Sequence, residues 1–282
     1  MIVITGATGQ LGRLVIDSLL KKVPAASLVA AVRNVDKAQD LAELGVEVRQ
    51  ADYDRADSWD AALQGADKVL LISSSEVGKR TSQHQAVIDA AKRVGVKLLA
   101  YTSILHADSS VLGLADEHRE TEAALNASGL PFVLLRNGWY TENYTHGVPT
   151  ALSQGAVYGC AGEGRIASAG RADYADAAAA VLTSDGQAGT VYELAGDTAY
   201  TLSELAAEIE RQSGKPIDYV NLTEAEYTKV LLGAGLPEAF AKLLADSEAG
   251  VAKGALFDDG KQLSQLIGRP TLSLEAAVKA AL

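Results

Sequence analysis

The chain has 282 residues, 48% of them hydrophobic, enough to bury one sizeable core and a smaller lobe. Its net charge of −11 excludes a general nucleic-acid surface, which needs a basic face, so a phosphate-bearing ligand must be held by a local basic spot and backbone dipoles. No apolar run reaches spanning length and the first motif starts at residue 2, so neither membrane insertion nor a leader peptide is expected; one cysteine, Cys160, leaves no internal disulfide and suits a reducing cytoplasm.

The chain opens with "MIVITGATGQLGRLVIDSLL". "IVIT" is short, β-branched and bounded by glycine, the pattern of a buried parallel strand. Leu11, Leu14, Val15 and Leu19 then recur at helical spacing, with Lys21 and Lys22 at the far end, where cations suit the helix dipole. Between them lie Gly6, Gly9 and Gly12. A tight glycine turn leading into a helix aims backbone N–H groups at an anion and lets a diphosphate approach without a Cβ in the way. The bland alternative is an ordinary strand-to-helix turn.

"SLVAAVR" reads as a second strand ending at Arg33. Four further segments repeat one grammar, a helical pattern, a glycine and a short apolar strand: "AQDLAELGVEVRQ", "WDAALQGADKVLLIS", "VIDAAKRVGVKLLAYTS" and "TEAALNASGLPFVLLR". Their glycines (Gly45, Gly65, Gly95, Gly129) fall where a helix end wants a left-handed residue. Alternation of this kind implies right-handed crossovers and a parallel sheet covered on both faces, hence an α/β, doubly wound domain of Rossmann type over residues 1–136. Residues 137–282 are expected to form a smaller, mostly helical lobe for a substrate, with a segment near 165–183 returning to the main domain as a strand turn and helix. "NGWYTENYTHGVPT" reads as an aromatic loop at the carboxyl edge of the sheet, and Thr201 with Glu204 as a capping box before a helix that ends at Gly214.

Several residues are candidates for chemistry. Arg33 stands where dinucleotide folds meet the adenosine ribose; its fork suits a 2′-phosphate and so favours NADPH over NADH, although Asp36 is three residues on. Ser73, Ser74 and Ser75 end the fourth strand and either line the ribose or merely turn the chain. Asp52 either accepts from the adenine amino group or caps a helix. Ser103 ends the fifth strand, where a hydroxyl suits the nicotinamide; His118 and Asn143 are further candidate helpers, each with a structural alternative. None of the ten tyrosines is followed four residues later by lysine, so the usual proton-delivering pair is missing. A ketone needs such a donor, whereas the anion formed on a quinone is delocalised and demands less proton assistance. The spacing of His84, His106, His118 and His146 fits no metal site.

"TGATGQLG", "SSSEVG", "RNGWYTENY", "ASAGRADYA" and "LFDDGKQLSQLIG" together resemble the NmrA-like branch of the atypical short-chain dehydrogenases, most nearly its bacterial quinone-reducing members, over essentially the whole chain. The resemblance implies two-electron reduction of a small-molecule quinone by NADPH without flavin, in a protein compatible with a homodimer. It assigns Gly6, Ala7, Thr8, Gly9, Gln10 and Leu11 to the phosphate turn and Arg33 to the 2′-phosphate. Ser73 to Ser75 become the strand-four lining. Asn137, Gly138, Trp139, Tyr140, Thr141 and Glu142, with Ser168, go to the nicotinamide half. Related benzylic-ether and isoflavone reductases carry a lysine at the position of His118, so a proton-relay role does not carry over from them. Two other activities stay open: a redox-sensing regulator that binds NADP(H) without turnover, and a reductase of enones or ethers.

Overall fold

A computed structural model describes residues 1–282. In chain order, the first elements are β1 (Ile2–Ile4), α1 (Gln10–Leu20), β2 (Leu28–Val32), α2 (Gln39–Glu43), β3 (Glu47–Gln50) and α3 (Ser58–Ala62). They are followed by β4 (Lys68–Leu71), α4 (Arg80–Val94), β5 (Leu98–Ile104), α5 (Ala115–Ser128), β6 (Phe132–Asn137), α6 (Glu142–Thr145) and α7 (Val148–Gln154). The remainder holds β7 (Ala156–Gly159), α8 (Arg171–Thr183), β8 (Val191–Leu194), α9 (Leu202–Ser213), β9 (Asp218–Asn221), α10 (Glu224–Gly233), α11 (Glu238–Val251), α12 (Gln262–Ile267) and α13 (Leu274–Ala281). No helix is long and apolar enough to cross a membrane.

Seven strands form one sheet in the order β3-β2-β1-β4-β5-β6-β8, and β1 to β6 pair in parallel throughout. The order reverses between β1 and β4, so the chain after each of these strands emerges at the point where α/β sheets hold ligands. β1, β2 and β5 are buried along their whole length, as the unbroken apolar runs of β1 and β2 require; β5 also buries Thr102 and Ser103. β3 is an edge strand and carries charge instead, with Arg49 bonded to Glu47. Gly45, Gly65, Gly95 and Gly129 have φ between +75° and +84°, the left-handed turns their positions called for.

The chain divides into two units. The first is Met1–Ala107, Glu117–Asn137 and Arg171–Tyr192; the second is Asp108–Asp116, Gly138–Gly170 and Glu193–Leu282. In the first, α8 packs along α1, its small residues Ala175, Ala178 and Ala179 fully buried and Asp176 accepting a 2.6 Å bond from Ser18. The buried face of α1 is Leu11, Val15, Ile16 and Leu19; Leu14, placed on it by the sequence reading, is only half-buried.

Two expectations need correction. The return to the main domain begins at Arg171, not near residue 165, and Ile166 and Ala169 make only isolated bridges, to Tyr200 and Tyr140. The aromatic stretch is not all loop, since α6 and α7 lie in it, with Pro149 in the first turn of α7 where a missing N–H costs nothing. The second unit also contains a parallel pair, β7 with β9, against which α9 packs.

Candidate functional site

Within the first unit, the turn after β1 is shaped by its glycines. Gly6 has φ +58°, a conformation that a side chain resists, and its carbonyl accepts the N–H of Gly9 at 2.9 Å. A Cβ on Gly12 would lie 2.5 Å from the Gly6 carbonyl oxygen, so only glycine lets α1 pack this closely on the turn. Gly9 is the N-cap residue of α1, and no side chain bonds the helix start. The first-turn N–H groups therefore point outward with the positive end of the helix dipole behind them.

The turn opens on a cavity of about 770 Å³, within the range of small-molecule sites. Gly6, Thr8, Gly9, Gln10 and Leu11 line it, as do Arg33 and Ser73, Ser74 and Ser75. Ala7 does not. Its side chain is fully buried and its N–H bonds the carbonyl of Ala31, so it shapes the turn from inside. Tyr53 and Trp59 form a paired aromatic wall, ring centroids 5.2 Å apart, with the Trp59 Nε1 buried and unpartnered. The Tyr53 hydroxyl lies 2.7 Å from both Thr5 Oγ1 and the Ile72 carbonyl, which ties the ends of β1 and β4 together.

One rim of the cavity is cationic, with Arg13, Arg33 and Lys37. Arg33 is 72% exposed and faces Glu76 at 3.9 Å, a loose pair in open solvent. Arg13 is held more firmly, by Asp40 and by the Lys37 carbonyl. Asp36 is not among the lining residues. Asp52 lines the cavity but caps no helix: its Oδ1 accepts the N–H of Asp54, and the α3 cap position is taken by Asp57. A glycine cradle, an uncapped helix start, a basic rim and an aromatic slot fit an adenine dinucleotide phosphate. Arg13, Lys37, Tyr53 and Trp59 escaped the sequence reading. The alternation of cations with the glycine turn could have signalled the first two; the aromatic pair depends on how β3 and α3 fold back.

Ser103 and His118 do not meet. The Ser103 hydroxyl donates to Glu122 at 2.6 Å, and Glu122 is itself paired with Arg136 at 2.7 Å in the interior. His118, 4% exposed, shares a 2.7 Å hydrogen bond between its Nδ1 and the Tyr101 hydroxyl. Burial, reinforced by Arg80 and His84, pushes its pKa down to about 3, so it is neutral at physiological pH. Asn137 ends β6 with its Oδ1 buried and without a partner.

The remaining expected residues belong to the second unit. Gly138 donates to the Leu194 carbonyl at 2.7 Å, and Thr141 to that of Ala169 at 2.9 Å. Ser168 Oγ bridges Thr141 Oγ1 and the Tyr200 hydroxyl, 2.8 Å to each. Trp139, Tyr140 and Glu142 are half-buried, whereas Asn143 is exposed beside them in α6. Glu248 on α11 is 9% exposed, and its Oε2 has no partner. A Cβ on Gly159 would lie 3.1 Å from that oxygen, and burial pushes the carboxyl up to about 7. Cys160 nearby is a free, buried thiol raised to about 12, mainly by desolvation.

A family profile described as NAD(P)H-binding matches residues 6–185. Quinone oxidoreductase 2 of Escherichia coli (strain K12) is 59% identical over 278 residues, spanning 99% of this chain and 97% of that protein. A crystal structure of the E. coli NADPH-dependent quinone oxidoreductase complexed with NADPH matches with a TM-score of 0.98 at 59% identity, covering 99% of both chains. The triphenylmethane reductase of Citrobacter sp. complexed with NADP(H) matches with a TM-score of 0.97 at 39% identity over 100% of both chains. With the profile spanning the glycine turn, the basic rim and most of the sheet, the chain belongs to the NAD(P)H-binding family.

Proposed function

We propose that the protein reduces quinones to hydroquinones with NADPH, by direct hydride transfer and without flavin. The observation that carries this reading is the uncapped glycine turn opening on a cavity of about 770 Å³ with Arg33 at its basic rim, in a chain 59% identical to a quinone oxidoreductase. When bound, NADPH supplies the hydride. The backbone amides of residues 8–11 hold the diphosphate, Arg33 and Lys37 the 2′-phosphate, and Tyr53 with Trp59 the adenine. Ser73, Ser74 and Ser75 line the ribose. Asn137 offers its unpartnered Oδ1 to a donor of the nicotinamide half. In the second unit, taken by itself, Gly138, Trp139, Tyr140, Thr141, Glu142 and Ser168 are the residues that the family resemblance assigns to that half.

Trp139 and Tyr140 give a flat acceptor an apolar wall. Ser103 directs its proton to Glu122 and His118 stays neutral, so neither is poised as an acid. Asn143 is then the side chain left to steady the developing phenolate, and the proton comes from solvent. Positioning of the two rings supplies most of the rate. The substrate is a small molecule, with no role for nucleic acid, and the enzyme works in the cytoplasm.

The test is loss of reduced-nicotinamide absorbance with a quinone panel, on protein shown to carry no flavin. Turnover with benzoquinone-type acceptors is expected. Tight NADPH binding with no turnover on any quinone would instead favour a redox sensor, and faster reduction of enones or ethers the third reading.

A further inference from the structure

The stretch after β4 is held from behind. The Ser74 N–H donates to His84 Nε2 at 2.9 Å, its carbonyl accepts from Arg80 Nε at 2.6 Å, and its hydroxyl accepts the Glu76 N–H at 3.2 Å. Ser73 is fixed beside it, its N–H on Thr102 Oγ1 at 2.9 Å. His84 lies on α4, fully buried, and is not among the cavity-lining residues.

The direction of every link is determined. Nε2 accepts from Ser74, so it is bare and the ring proton sits on Nδ1. That N–H donates to Thr121 Oγ1 on α5 at 2.9 Å, and Thr121 passes its own proton to the Glu117 carbonyl at 2.8 Å. A protonated ring would set two N–H groups against each other at Ser74. Burial, then the charge of Arg80, pushes His84 down to about 3, so the acceptor survives at any working pH. Replacing the ring by a hydrocarbon would leave the buried Ser74 N–H without its partner.

We propose that His84 is a positioning residue of the dinucleotide site: through the Ser74 N–H it sets the Ser73–Glu76 wall of the cavity in its binding geometry. The proposal rests on the reading above that the cavity takes NADPH. His84 acts from outside the ligand shell, and the serines it anchors line the ribose, which NADPH and NADH share. Its loss therefore weakens both coenzymes alike, unlike the loss of a 2′-phosphate contact.

Three variants test it: His84→Leu, His84→Gln, whose amide oxygen can take the Ser74 N–H, and Thr121→Val, which keeps the imidazole but removes its Nδ1 partner. Coenzyme dissociation constants, kcat, the KM for quinone and Tm are measured on full-length protein. His84→Leu is expected to weaken NADPH and NADH about tenfold, and His84→Gln to restore both to within about threefold. With saturating coenzyme, kcat and the quinone KM stay within about twofold, since the loop touches no reacting atom.

A folded His84→Leu protein with parental coenzyme affinity would overturn the proposal, as would equal losses of affinity in the leucine and glutamine variants. If the leucine variant does not fold, Thr121→Val decides: a loss of about threefold for both coenzymes supports the clamp, and unchanged affinity overturns it. Parental protein that binds neither coenzyme would instead overturn the functional reading, and the clamp with it.

Discussion

In the first unit, α1 begins at Gly9 with no side chain on its leading N–H groups, whereas α9, α10 and α13 of the second unit begin at Thr201, Thr223 and Ser273, each accepting a first-turn N–H. Two of these starts are full capping boxes, with Glu204 and Glu226 reaching back. These three helices thus satisfy their own starts, whereas α6, α7, α11 and α12 carry no side-chain cap. The cofactor helix leaves its end open, at a cost of about 1 kcal/mol that a bound anion recovers. An open start can serve a ligand only where, as at α1, the turn before it also lines a cavity.

The largest effect should come from closing that open end. Gly9 already has the φ −74°, ψ 168° backbone of an N-cap, so Gly9→Asp can cap α1 itself, though its Cβ would sit 3.1 Å from the Gly6 carbonyl oxygen. NADPH affinity is expected to fall about a thousandfold by calorimetry, because a carboxylate takes the diphosphate amides and repels the ligand, while Tm moves by only a few degrees. Retained binding would break the comparison.

A second test addresses Glu248 Oε2, the buried side-chain atom of the second unit that has no partner. Glu248 has its folded pKa raised to about 7 against an ordinary 4.5. The folded state therefore holds the proton more tightly, and stability declines as pH rises from 4.5 through 7. Glu248→Gln removes that penalty. In urea titrations the variant should exceed the parent by up to about 3 kcal/mol at pH 8, with the gap closing below about pH 4.5. A gap that does not change with pH would mean the carboxyl is not held protonated.

Arg33→Ala sharpens the picture on the ligand side. NADPH should bind about thirtyfold more weakly and NADH within about twofold of the parent, as read by fluorescence titration. Equal losses would remove Arg33 from the 2′-phosphate. The smallest effect belongs to Thr201→Ala, about 1 kcal/mol of stability with coenzyme affinity unchanged. A change in affinity there would show that the contrast between the helix starts is not a division of labour.

Local signals in the sequence carried far. The glycine turn, the left-handed ends at Gly45, Gly65, Gly95 and Gly129, and the Thr201 box each depend on neighbours within a few residues, and each stands where the pattern put it. The same holds for most of the cavity floor, because residues that end adjacent strands converge by topology alone. What escaped was non-local. β7 and β9 are four residues each and lie far apart in the chain, with no alternation to pair them. α6 and α7 are one to two turns long and hidden by Gly147 and Pro149, of which the proline was in fact a start signal. His84 carries no motif: its role comes from α4 bringing it under Ser74, which only the folded chain reveals.

The nucleotide unit is assembled from three stretches of chain, the last ending at Tyr192. During synthesis, β1 to β5 and α1 emerge early, yet the α8 strip that covers α1 arrives only after the second unit has begun to appear. A nascent chain stopped before Arg171 would display the apolar flank of α1 to solvent and to chaperones. Two excursions into the neighbouring unit thus delay completion of the coenzyme fold until about two-thirds of the polypeptide has left the ribosome.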